Sequence, residues 1–203
     1  MTEQNIDTAA KILKAAEDEF LEKGYGNARM LSIAARAGVS HSMLHYYYRS
    51  KEELFQKVFD GKVELISRIL DGIYREDESL VTIIRKFVEN QFDTIRENSG
   101  FPMFVVRDVV SVRENLEKAM AIAEKRFSGY LEKFTARLDG EIKAGRIRKI
   151  SPLNLLLDIV SMNIATFLAL PAIEKLLHGA DIDKFLEERK KSNADFIIAA
   201  LRP

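Results

Sequence analysis

The sequence predicts an all-α fold, with a small helix-turn-helix region at the N-terminus and a larger helical region after it. Three observations carry this. Apolar residues recur every three or four positions along most of the 203-residue chain, the spacing of an amphipathic helix. Strand-like alternation is nearly absent, and the β-branched runs at Phe104-Val105-Val106 and Val109-Val110 sit in helical surroundings. Only four prolines and ten glycines interrupt the chain, and they fall where helices should start or stop.

The first helix is expected from about Thr8 to Lys23, with Ile12, Ala16 and Phe20 as its apolar row, Asp7 or Thr8 as cap and Gly24 at its end. A second covers about Ala28 to Ala37, with Asn27 as candidate cap, and Gly38 fits the left-handed position just past a helix end. Ser40 is a good N-cap for a short third helix from His41 to Tyr47, in which Leu44 faces inward. Ser50 and Glu53 form a capping box for a fourth helix reaching about Gly72, with Leu54, Val58, Leu65 and Ile69 as its row. A polar break at Arg75-Glu76-Asp77-Glu78 precedes a helix from Ser79 to about Asn98. A short apolar helix from Pro102 to Val110 follows, then a long one from Arg113 to Ala144 that Gly145 ends. Pro152 suits the first turn of another helix, apolar almost all round from Leu153 to Leu170, and a last helix runs from Asp181 to Leu201.

Two helices joined by a short glycine-containing turn form a motif whose second helix enters the DNA major groove. Charge supports that use. The chain carries 31 Lys+Arg against 31 Asp+Glu, yet Lys23 to Lys51 holds five bases (Lys23, Arg29, Arg36, Arg49, Lys51) and no acid. The rest of the chain is left with 26 bases against 31 acids. Neutralising phosphates requires a basic face, not a basic chain.

Composition narrows the other classes. With no cysteine there is neither a disulfide framework nor a thiolate metal site. The acidic, polar start, Met-Thr-Glu-Gln-Asn-Ile-Asp, is not a signal peptide. The longest charge-free apolar stretch, Ile159 to Ile173, is shorter than the roughly 20 residues that span a bilayer. A soluble, cytoplasmic protein without a membrane segment is expected. His41 and His45 are spaced as zinc ligands can be, but no third ligand is evident, so no metal and no cofactor are expected. A glycine-rich phosphate loop, a metal-ligand set and a cysteine nucleophile are also lacking, which weighs against an enzyme.

A helix apolar on all sides must be covered on several. Packing of the last two helices against a second copy of the chain would bury it. A twofold homodimer also sets two reading helices about 34–36 Å apart, one turn of DNA.

The run Ile-Ala-x-x-Ala-Gly-Val-Ser at Ile33 to Ser40, the aromatics Tyr46-Tyr47-Tyr48, Ser50-Lys51-Glu52-Glu53-Leu54 and Gly24-Tyr25 together resemble the TetR family of transcriptional regulators. More weakly, Gly145 to Pro152 resembles the family's lead-in to its dimer helices. The resemblance implies a DNA-binding domain over residues 1–51 and a helical ligand-binding and dimerisation domain over 52–203. It implies a regulator, usually a repressor, that releases a palindromic double-stranded operator when a small-molecule effector binds. The chain departs from the family pattern at Ser42, usually Gly, at His45, often Tyr, at Tyr48, often Phe, and at Arg29, which replaces a capping threonine.

Expected site residues follow from this. His41, Ser42, Met43 and Tyr46 should face base edges, with Met43 suited to a thymine methyl. Tyr47, Lys51, Arg29 and Arg49 should meet phosphates, and Ser40 and His45 lie on the same surface. For an effector, Phe104, Phe127, Tyr130, Phe134 and Phe167 could line a cavity, with Arg107 and Asn163 as orienting polar groups. A largely apolar or aromatic effector is expected. Two alternatives stay open: a helix-turn-helix regulator with no small-molecule ligand, and an all-α protein of other function.

Overall fold

The computed structural model describes residues 3–73, 77–176 and 181–203, with side chains given from residue 7 and omitted over 65–73. The side chains of Leu65 and Ile69, and Arg75 and Glu76 of the expected break, lie outside the described residues. The described chain is helical throughout, with no strand: α1 (Glu3–Asn27), α2 (Met30–Ala37), α3 (His41–Tyr47), α4 (Lys51–Ile73), α5 (Leu80–Glu97), α6 (Phe101–Phe104), a π-helical turn (Val105–Val110), α7 (Arg113–Lys143), α8 (Pro152–Leu176) and α9 (Ile182–Ala200). The chain forms two compact units, residues 1–66 with 103–122, and residues 67–102 with 123–203.

In the first unit α1 buries Ile12, Ala15, Ala16 and Phe20. The helix begins earlier than expected, so Asp7 is not its cap but pairs with Lys11 one turn on, at 2.6 Å. Gly24 does break the helix, at φ 80° and ψ 161°. The chain then makes one more turn, closed by the Ala28 N–H on the Gly24 carbonyl at 3.0 Å. That extra turn delays α2 to Met30. Arg29 occupies its N-cap position without a side-chain bond, and Asn27 bonds back to the Lys23 carbonyl instead of capping forward.

The short apolar helix expected after Pro102 divides. Four α-helical residues pass into a π-helical turn at Val105–Val110, a wider winding that inserts an extra residue. This turn packs on α1. Phe104 is fully buried, with its ring 5.4 Å from that of Phe55. Phe55 in turn meets Phe20 and Tyr25 edge-on, at 5.5 and 4.8 Å.

The second unit is a helical bundle. Its core joins Leu80, Ile84 and Val88 of α5 to Leu138 of α7, Leu155 and Ile159 of α8, and Ala194 and Ile197 of α9. A smaller cluster holds Phe92, Ile95, Phe167 and Leu186. Gly145, at φ 71°, ends α7 as expected. The Gly145 N–H reaches Ile142 and the Arg146 N–H reaches Glu141, both at 3.0 Å, a Schellman ending. Along α7 Leu138 is buried, whereas Met120 and Leu131 are exposed.

Helix α8 runs past Leu170 and carries Pro171 internally. By length and composition it is long and apolar enough to cross a membrane, and only 22% of its most apolar window is buried within the chain. Leu153, Leu157, Leu168 and Leu176 stand exposed along it, and Phe196 of α9 is 64% exposed.

Candidate nucleic-acid interface

The α2–α3 turn is built from local chemistry. Gly38 is left-handed, at φ 68° and ψ 30°. Its N–H reaches Ala35 at 3.2 Å, and the Val39 N–H reaches Ala34 at 3.0 Å, so two open carbonyls of α2 are satisfied. Ser40 then caps α3, its hydroxyl accepting the Met43 N–H at 3.1 Å. Ile33 and Leu44 are fully buried, which clamps α3 by one inward leucine and leaves its remaining positions outside.

That outer surface comprises His41, Ser42, Met43, His45 and Tyr46, all exposed, beside half-buried Tyr47. Tyr46 is 78% exposed and meets Tyr47 edge-on at 5.4 Å. Ser40 and Ser42 join hydroxyls at 3.1 Å. Ser40, Ser42, Met43, Tyr46 and Tyr47 line one open concavity of about 420 Å³. The ten residues expected at DNA thus divide. Six of them are the α3 residues left outside by buried Leu44, with Ser40 capping the helix.

The basic residues behave differently. Lys23 donates to Glu19 at 2.9 Å and to the Ser32 hydroxyl at 3.3 Å. Arg36 pairs with Glu22 at 2.6 Å and with fully buried Glu19 at 3.4 Å. Burial pushes the Glu19 carboxyl up. The Lys23 and Ser32 hydrogen bonds, with the charges of Lys23 and Arg36, outweigh burial and hold it below its ordinary value. Lys51 donates to the carbonyls of Tyr25 at 2.8 Å and Ala28 at 3.2 Å, and sits 4.6 Å from the Tyr25 ring centroid. Its ammonium therefore ties down the end of α1. Arg29 and Arg49 are exposed and, among the described residues, form no ion pair. The capping box at α4 is shifted by one residue: Ser50 accepts the Glu53 N–H at 3.1 Å, but the Glu53 carboxylate takes the Arg49 N–H at 2.9 Å, not that of Ser50.

The residues expected around an effector belong to both units. Phe104 and Arg107 belong to the first unit. Arg107 donates to the Phe20 carbonyl at 2.7 Å and to buried Asp108 at 3.0 Å, while Asp108 accepts the Tyr25 N–H at 2.9 Å. Phe127, Tyr130 and Phe134 lie half-buried on α7, and Phe134 packs on the bundle core. Asn163 is fully buried and donates to the Val88 carbonyl and to Gln91, both at 2.9 Å, while Asn193 donates to it at 3.0 Å. Phe167 packs its ring 4.8 Å from that of Phe92. Sequence periodicity did not single out Asp108 as the residue holding Tyr25. Its one signal was a charged pair inside an apolar run.

Comparison with known proteins agrees with this geometry. Residues 12–58 match the family described as bacterial regulatory proteins, tetR family. The HTH-type transcriptional regulator RutR of Escherichia coli strain K12 is 25% identical over 195 residues, spanning 95% of this chain and 89% of RutR. Two solved structures share the fold. The transcriptional regulator FadR from Bacillus subtilis, in complex with stearoyl-CoA, superposes with a TM-score of 0.71 at 17% identity, covering 95% of this chain and 99% of FadR. The ketosteroid transcriptional regulator KstR2 of Mycobacterium tuberculosis gives 0.74 at 14% identity, covering 96% and 95%. Through residues 12–58 the chain carries the helix-turn-helix region of the tetR family of bacterial regulatory proteins, and over most of its length it shares the helical fold of these solved regulators.

Proposed function

We propose that this regulator is a ligand-responsive repressor. It binds a palindromic duplex operator as a twofold dimer and leaves it when a small, largely apolar molecule binds the helical region beyond residue 51. The observation that carries the DNA half is the exposed His41–Tyr47 surface, held rigid by the Gly38 turn and the Ser40 cap. His41, Ser42, Met43 and Tyr46 read base edges, with His45 and Ser40 beside them. Tyr47, Arg29 and Arg49 contact phosphates. Lys51 acts mainly by fixing the Tyr25–Ala28 segment, since carbonyls already take its ammonium.

The dimer is supported by the exposed leucines of α8 and by Phe196, an apolar surface that a second copy would cover. For the effector, support comes from the stearoyl-CoA bound to FadR, a protein of the same fold. Phe127 and Tyr130 are the aromatic candidates to line its site, because Phe104, Arg107, Phe134, Asn163 and Phe167 already have partners within the chain.

Selection of bound sequences from random duplex DNA with purified protein tests the first half. A recovered palindrome is the expected result, and no preference over bulk genomic DNA at moderate salt refutes it. A melting screen with long-chain acyl-CoA and aromatic apolar compounds tests the second. An effector at a hundred times its Kd adds about 2.7 kcal/mol to stability. A flat screen favours a regulator that senses no small molecule.

A further inference from the structure

We propose that His41 and His45 chelate one divalent transition-metal ion on the exposed face of the reading helix. The two residues stand one helical turn apart, and their Nε2 atoms converge to 3.1 Å. Their rings meet edge-on, with centroids 4.4 Å apart and planes at 90°. Metal–imidazole bonds of about 2.0–2.1 Å across that separation subtend about 95–102° at the ion. This lies between the cis angle of a tetragonal site and the tetrahedral angle, so neither ring has to travel far. Both residues are exposed, and a small side-chain rotation suffices to aim both lone pairs at one ion.

Among the described residues no group of three metal-binding side chains exists. The chain therefore supplies two imidazoles, and water fills the other positions. Imidazole suits Cu2+, Ni2+ and Zn2+, with Cu2+ bound most tightly. In the metal-free pair one Nε2–H donates to the other Nε2, so the donor ring moves that proton to Nδ1 through solvent, and both Nε2 lone pairs are then open to the ion. Chelation also withdraws the His41 Nε2 from base edges and holds the ion beside them through His45. This last consequence rests on the proposed reading surface: metal and operator compete for one face.

Cu2+ titration of the full chain, followed by electron paramagnetic resonance, tests the site independently of DNA. The only other histidine is His178, so the titration is done in a His178→Gln background. One Cu2+ per chain with hyperfine coupling to two imidazole nitrogens is expected. Either His41→Gln or His45→Gln should reduce affinity by on the order of a hundredfold, because the second nitrogen binds intramolecularly. Circular dichroism should stay unchanged, since both rings are at the surface. Undiminished copper binding in both variants, or coupling to a single nitrogen in the His178→Gln protein, overturns the site. A separate arm adds Zn2+ to a complex with a selected operator. Zinc-dependent weakening that His45→Gln abolishes supports the competition, and equal affinity with zinc and with chelator removes that consequence while the spectroscopic result stands.

Discussion

Replacing Gly24 with alanine should cost about 3–5 kcal/mol, a large share of the roughly 5–15 kcal/mol that stabilises a folded domain. Two terms add. The residue sits at φ 80° and ψ 161°, a region almost closed to side chains, worth about 1–3 kcal/mol of strain. A Cβ there would also lie 2.6 Å from Arg107 Nε and 2.9 Å from its Cζ, so the guanidinium must withdraw. It then gives up its bonds to the Phe20 and Leu21 carbonyls, at 2.7 and 3.3 Å. A hydrogen bond from a charged donor contributes about 1.5–3 kcal/mol. Urea denaturation followed by circular dichroism reads the sum, with Gly26→Ala as control, since nothing lies within 4 Å of a Cβ at that position. Adding Arg107→Ala removes the clash and leaves only the backbone strain, so Gly24→Ala should cost about 2 kcal/mol less there. A Gly24→Ala protein within about 0.5 kcal/mol of the parent would refute the argument. An equal cost in both backgrounds would refute the Arg107 half of it.

Ser40→Ala should lose about 1 kcal/mol of stability through the missing cap on Met43, and its operator affinity should fall further than that of a stability-matched core variant; equal losses would deny the cap any part in positioning α3. Glu19 gives a pH test. Its carboxyl is held below the ordinary 4.5, so its contribution is complete above that value and is lost as pH falls through the lowered one. Glu19→Gln should therefore destabilise at neutral pH and lessen the loss of stability on acidification below about pH 4.5; parallel acid limbs in the two proteins would contradict this. For phosphate contact, Arg49→Ala should flatten the dependence of log Kd on log salt by about 0.9 per chain. Lys51→Met should lower thermal stability and leave that slope nearly unchanged, and the reverse pattern would restore Lys51 as the clamp.

Much of the fold is legible locally. The Gly38 turn, the Ser40 cap and the Gly145 ending each depend on a few adjacent residues, and each forms where spacing indicates, while Ser79 and Asp181, expected as first helical residues, are the caps just before their helices. Misplaced boundaries arise where distant chain intervenes. The extra turn after Gly24 is held by Asp108 on the Tyr25 N–H and by Lys51 on the Tyr25 and Ala28 carbonyls. Those partners lie 83, 26 and 23 positions away, beyond any window of periodicity. The π-helical turn is equally invisible, because Val-Val-Arg-Asp-Val-Val has apolar spacing compatible with an ordinary helix. Buried Asn163 stands out as a polar residue in an apolar run, yet only tertiary structure shows its donors spent on Val88 and Gln91.

The reading surface was inferred partly from a stretch free of acids, and here linear and spatial neighbourhoods diverge. Glu19 and Glu22 precede that stretch in sequence, but α1 brings them to Lys23 and Arg36. With Lys51 tied to carbonyls, three of the five bases are engaged within the first unit, and among the described residues Arg29 and Arg49 are the two of the five that form no ion pair. A protein that gripped DNA mainly through phosphates would want the opposite arrangement, because each neutralised phosphate adds affinity for every sequence alike. The engaged cations fix α1 against α2 and α4, and the helix proposed to enter the groove carries histidine, serine, methionine and tyrosine. Such a surface gains little from bulk DNA and depends on hydrogen bonds and apolar contact with particular base edges. The proposed operator complex should therefore show a shallow salt dependence, close to two phosphate contacts per subunit from the arginines, together with a large ratio of specific to non-specific affinity.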